Sequence, residues 1–111
     1  MKIAITSTGT SLESKIDMRF GRCSYFVIYD DMIGSIEFIP NSANDAEQGA
    51  GIAAVEFIAK KNVDKVISGE FGIKIKSLLD SLKIQMIMVK LPDRTIGELI
   101  ELLKQNISKN K

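Results

Sequence analysis

From Val63 onward the chain alternates strand-like and helix-like segments with almost nothing between them, and that alternation limits the folds open to it. Val63-Asp64-Lys65-Val66-Ile67-Ser68 reads as a short strand, and Gly69-Glu70-Phe71-Gly72 turns into a helix whose apolar stripe is Ile75, Leu78, Leu79 and Leu82. The run from Ile84 to Val89 is nearly all apolar, which predicts a last strand covered on both faces with Met86 and Met88 in the core. Thr95 with Glu98 forms a capping box, and Ile96, Leu99, Ile100 and Leu103 give the third helix its apolar side. Strands joined through helices run parallel, and the crossovers lay the helices on the faces of the sheet.

The first half supplies the other strands. Residues 2 to 7 alternate as a strand does, and Tyr25 to Tyr29 with Ser35 to Ile39 reads as an antiparallel hairpin. Ala50, Ala53, Ala54, Phe57 and Ile58 fall at helical spacing, and Asn62 suits a left-handed stop. The predicted order is βββαβαβα: an α/β domain, three-layer α/β/α, with a five-stranded mixed sheet containing one antiparallel strand. The ribonuclease H-like arrangement has this element order, so strand order is expected by analogy. One domain over residues 1–104 is expected, with 105–111 as a frayed polar tail.

Composition narrows the chemistry. Fifteen basic residues against 14 acidic ones leave no electrostatic footprint for nucleic acid. No apolar run approaches the about 20 residues of a membrane span, and the alternating N-terminus reads as a strand and not a signal peptide. With a single cysteine, a soluble cytoplasmic protein without internal disulfides is expected. Histidine is absent, which removes the usual general base and the commonest metal ligand. Nuclease chemistry fails as well, because the first strand carries Ala4, Thr6 and Thr8 where an acidic metal anchor would stand.

In such a sheet four polar segments are expected at one edge: Ser7 to Ser11, Asp17 to Cys23, Asn41 to Gly51, and Ser68 to Gly72. Helix starts at Gly49-Ala50-Gly51 and after Gly69 and Glu70 would favour an anion, which Arg19 or Arg22 could pair. Each feature has a second reading. The Gly-Ala-Gly segment fits neither the dinucleotide nor the phosphate-loop pattern and also serves close packing; the arginines also suit solvent or Asp17. Cys23 is either a soft metal ligand beside Arg22 or a small buried hydrophobe.

Three ordered motifs carry a resemblance over about residues 2 to 103: Asp17-Met18-Arg19-Phe20-Gly21-Arg22-Cys23 leading into Tyr25-Phe26, then Gly49-Ala50-Gly51, then Val63 to Gly72. The chain resembles the dinitrogenase iron–molybdenum cofactor biosynthesis domain family, the small domain of NifX, NafY and the C-terminal part of NifB. The resemblance implies a ribonuclease H-like fold and carriage of iron–molybdenum cofactor or its iron–sulfur precursor between assembly proteins. Carried onto this sequence, it implies a binding set of Arg19, Arg22, Cys23, Gly49, Ala50, Gly51, Gly69 and Glu70, with Cys23 as the metal ligand. Ile73 replaces a proline common in the family, the histidine implicated in some members is missing, and so is the radical-enzyme portion of NifB. One cysteine cannot hold a conventional cluster that expects about four, which leaves labile carriage or sharing across a dimer.

The leading expectation is a non-catalytic carrier of a metal–sulfur anion, acting as a monomer or weak homodimer. The alternative is a protein-interaction module, an accessory of iron–sulfur-linked P-loop ATPases with no cofactor of its own. An enzyme acting on a small phosphorylated molecule ranks last, since no base or nucleophile is evident beyond Cys23.

Overall fold

The structure, a computed structural model, describes residues 1–109. Its elements are β1 (Lys2–Ser7), β2 (Tyr25–Asp30), β3 (Ser35–Pro40), α1 (Ala50–Lys60), β4 (Lys65–Ser68), α2 (Ile73–Ser81), β5 (Gln85–Met88) and α3 (Ile96–Lys109). The five strands form one sheet in the order β3-β2-β1-β4-β5. Strand β2 lies antiparallel to both neighbours, while β1, β4 and β5 are mutually parallel. The single antiparallel strand expected from the sequence is therefore β2.

The pleat of the strands sorts their side chains into two cores. Ala4, Phe26, Ile28 and Val66 face Ala54, Val55, Ile58 of α1 and Leu79 of α2. Ile3, Ile5, Val27, Tyr29 and Ile67 face Ile96, Leu99 and Ile100 of α3. Each large apolar side chain removed from water contributes about 1.5–3 kcal/mol, and period-two alternation lets one strand serve both clusters.

Several expectations are corrected. Strand β5 is the sheet edge, with Met86 and Ile87 partly buried on opposite faces, while Met88 is 49% exposed and not in the core. An apolar run of this length looks the same in an edge strand as in a central one. Leu82 lies just past α2 as its C-cap and is exposed, although its spacing continues the buried stripe. Residues 105–109 continue α3, since nothing after Leu103 breaks a helix; residues 110 and 111 of the expected tail lie outside the described residues.

Both crossover helices on the first face leave through left-handed residues. Asn62 has φ 59° after α1, and Lys83 has φ 60° after α2. In each, the following amide reaches back into the helix: Val63 N–H to Ile58 O at 3.3 Å, Ile84 N–H to Leu79 O at 3.0 Å. Asparagine tolerates that conformation, whereas lysine carries a Cβ that crowds the backbone. Lys83→Gly is therefore expected to raise unfolding stability by up to about 1 kcal/mol, read from urea denaturation; a loss of stability would show that the Lys83 side chain matters more than its backbone.

Candidate functional site

Parallel pairing of β1 with β4 sends the loops after both strands out at one edge, where β2 begins. Three of the four expected segments meet there around an open cleft of about 500 Å³. Residues 19–22, 47–51 and 70–72 line it together with Ile75. The fourth, Ser7 to Ser11, leaves the sheet at the same edge but does not line the cleft. The turn after β1 closes on the start of α3, accepting Ile96 N–H at Ser14 O and Gly97 N–H at Leu12 O, both at 2.8 Å.

The floor is aromatic. Phe20 packs against Phe71 with centroids 5.4 Å apart and edge-on to Phe26 at 6.1 Å. Backbone pairing between Arg19 and Glu70 draws the second and third segments together. Gly21 is needed for close approach: a Cβ there would lie 2.7 Å from Gly51 Cα, so only glycine lets this loop rest on the first turn of α1. Gly49, the N-cap of α1, takes φ 79°.

Both helix starts at the cleft lack caps. Neither Gly49 nor Gly72 offers a side-chain acceptor, and neither helix has an acidic residue in its first turn. Among the described residues, the amides of Ala50, Gly51 and Ile52 on α1 and of Ile73, Lys74 and Ile75 on α2 have no acceptor. Helix α3 begins elsewhere and is capped in full: Glu98 N–H donates to Thr95 Oγ1 at 3.1 Å, and Thr95 N–H to Glu98 Oε1 at 3.0 Å. Those bonds hold the Glu98 carboxyl below the usual carboxylate range.

The two arginines differ. The Arg19 side chain is 65% exposed and touches the buried Asp17 carboxylate only through Nε at 3.5 Å, while its backbone N–H donates to Asp17 Oδ1 at 3.0 Å. Its Nη atoms have no partner among the described residues. Arg22 is half-buried and anchored at one nitrogen: its Nη1 donates to Asn44 O at 3.2 Å and to Ala46 O. Both carbonyls belong to the loop that forms one wall of the cleft.

Of the residues proposed from sequence, Arg19, Arg22, Gly49, Ala50, Gly51 and Glu70 line the cleft. Gly69 lies behind it, where a Cβ would come 2.5 Å from Met18 Cα. Cys23 is 0% exposed, with its thiol donating to Phe20 O at 3.3 Å. Burial, reinforced by the Asp17 charge, pushes that thiol up to about 12, so it remains protonated at neutral pH, and Cys23 is not among the residues lining the cleft. Among the described residues no group of three or more carboxylates and thiols is placed to hold a metal ion. Sequence reasoning passed over Asn41, whose buried amide donates to Gly21 O and Cys23 O, both at 3.0 Å. Its only signal was a position just after Pro40 at the end of a strand.

A mixed sheet of this strand order, with a cleft outside the carboxyl ends of its parallel strands, defines a small α/β domain of the ribonuclease H-like type. The chain belongs to the dinitrogenase iron–molybdenum cofactor family, which it matches over residues 1–106. Among solved structures it is similar to the apo form of the orange protein from Desulfovibrio gigas, with 28% identity, a TM-score of 0.85 and coverage of 95% of this chain and 88% of that one. It is also similar to a putative NifB protein from Thermotoga, with 27% identity, a TM-score of 0.77 and coverage of 94% and 87%. No curated protein matches the sequence. Among the described residues, no helix is long and apolar enough to cross a membrane.

The Cys23 shift predicts a pH effect of definite sign. The folded thiol ionises near 12 against about 9 unfolded, so its protonated form contributes stability that is complete below pH 9 and lost as pH rises toward 12. Wild type is expected to lose more stability than Cys23→Ala across that window, as read by denaturation at stepped pH. Parallel curves would mean that the thiol is not held protonated by the fold.

Proposed function

We propose that the cleft docks and carries an anionic, sulfide-rich metal cluster of the iron–molybdenum cofactor class and catalyses nothing itself. The observation that carries this reading is the contrast in helix capping. The one helix that starts away from the cleft has a complete capping box, while the two that open on it leave six amides free and carry no acid in their first turns, the nearest carboxylates being Glu47 and Glu70 just before the N-caps. α2 even carries Lys74 in its first turn, the wrong sign for helix stability and the right one for an anion. Membership of the dinitrogenase iron–molybdenum cofactor family and likeness to an orange protein described as an apo form support the choice of cargo. A volume of about 500 Å³ lies within the ordinary range of ligand sites.

The residues present fit such a cargo as an outer-sphere guest. Without histidine, and with its one thiol buried, this chain offers the cluster no imidazole or thiolate ligand at the cleft surface, where the carboxylates are those of Glu47 and Glu70. Amides at the two helix starts and the Arg19 guanidinium would hold the anion by hydrogen bonds and charge, over the Phe20–Phe71 floor. Contacts of this kind release the cargo intact, which suits transport between assembly proteins. Ile52 and Ile73 at the mouth are 51% and 84% exposed, and they give a loading or receiving protein an apolar rim to meet.

The test separates binding from folding. Ile52→Glu and Ile73→Glu each place an acid in the first turn of an uncapped helix, and each is expected to stabilise the fold by about 0.3–1 kcal/mol. Both should weaken uptake of isolated iron–molybdenum cofactor by about tenfold or more, because the same dipole is then satisfied from within. Uptake is measured anaerobically as molybdenum co-eluting with protein. Wild-type protein that is folded yet retains no molybdenum, or variants that bind as tightly as wild type, would count against the carrier reading.

A further inference from the structure

We infer that Arg22 serves this cleft as a positioning residue: it latches the wall formed by residues 44–48 in place and does not itself pair with the ligand. The inference deepens the carrier reading, and only its binding arm rests on that reading. Among the described residues, the two bonds from Arg22 Nη1 to Asn44 O and Ala46 O are the only hydrogen bonds tying residues 44–48 to another segment. The loop's remaining bonds are internal: Ala43 N–H to Asn41 Oδ1 at 3.3 Å, Asn44 N–H to Asn41 O at 3.3 Å and Ala46 N–H to Ala43 O at 3.1 Å. Asp45, Glu47 and Gln48 are exposed, so apolar burial does little to hold this wall.

Two consequences follow from that geometry. The loop ends at Gly49, the left-handed residue that aims the first turn of α1, so the latch sets where the free amides point. The loop is also bonded at its start to Asn41, through Asn44 N–H to Asn41 O, and the Asn41 amide lies 3.7 Å from Cys23 Sγ and bonds the carbonyls on either side of Arg22. Two carbonyls on Nη1 fix the orientation of the Arg22 guanidinium, which has those bonds to lose before it can reorient as a whole, whereas the Arg19 guanidinium is held only at Nε. The cleft thus divides its labour: Arg19 meets the ligand, and Arg22 shapes the place where the ligand sits.

The experiment compares Arg22→Met, which keeps the side-chain stem and removes the donors, with Arg19→Met. In ligand-free protein, Arg22→Met is expected to raise amide hydrogen exchange over residues 43–48 and iodoacetamide labelling of Cys23 by about tenfold or more, while Arg19→Met changes neither. Repeating the exchange in low urea separates local opening, which is nearly independent of urea, from global unfolding, which is not. With isolated iron–molybdenum cofactor, Arg22→Met should weaken uptake without altering its dependence on salt, and Arg19→Met should flatten that dependence. A loop as protected in Arg22→Met as in wild type would overturn the inference, as would an Arg22→Met salt dependence flattened like that of Arg19→Met. If wild type takes up no cofactor, the carrier reading falls, and exchange and labelling still decide the latch.

Discussion

Everything at the cleft depends on how β1 is paired. Flanked by β2 running against it and β4 running with it, this strand is buried on both faces, with Ile3, Ala4 and Ile5 at most 1% exposed. The parallel partner brings the end of β4 beside the end of β1, and the antiparallel one starts β2 at that same edge. Segments some fifty residues apart in sequence are thereby gathered at one rim. Reversing either pairing would carry Arg19 or Glu70 to the far end of the sheet. Backbone hydrogen bonds in a buried ladder cannot be exchanged for water, so the sheet holds this convergence more firmly than any side-chain contact at the rim does.

The cleft combines two kinds of closeness. Gly21 rests on the backbone of Gly51, which no other residue would allow, and Phe20 fills the space toward Phe71. Around that packed floor the polar groups are left open: helix amides without caps and a guanidinium held only at Nε. A protein that needed these helices only for stability would have capped them, as it caps α3 with Thr95 and Glu98. With glycine at each N-cap, leaving them open forgoes a few tenths of a kcal/mol, roughly, at each start. That cost is consistent with a ligand completing the hydrogen bonds.

The sequence made the strands, the helices and their order legible because these rest on local patterns: alternation in Lys2 to Ser7, the helical stripe of Ile96, Leu99 and Ile100, the capping box at Thr95. It did not show that β5 is an edge strand, nor that Met88 at its end is exposed while Met86, two residues earlier, packs against the first core. Nor did it distinguish the two arginines. Both sit in one short motif, yet Arg22 is claimed by carbonyls more than twenty residues away and Arg19 is not. Cys23 shows the same limit. Arg22 beside it in sequence suggests an electropositive, reactive site, whereas burial in the fold, with the Asp17 charge second, pushes its thiol up. The loop after β1 was expected at the rim on chain direction alone, but its carbonyls serve the start of α3.

The central claim is that uncapped amides at the starts of α1 and α2 complete their hydrogen bonds on a cluster anion. Amide NMR signals followed during anaerobic addition of isolated iron–molybdenum cofactor test it most directly. The account predicts that signals which shift or broaden are confined to residues 19–22, 47–52 and 70–75, with those of Ala50, Gly51, Ile73 and Lys74 changing first. Changes centred on the opposite pole, at Asn62, Asp64 and Lys83, would contradict it, and so would a spectrum that does not respond.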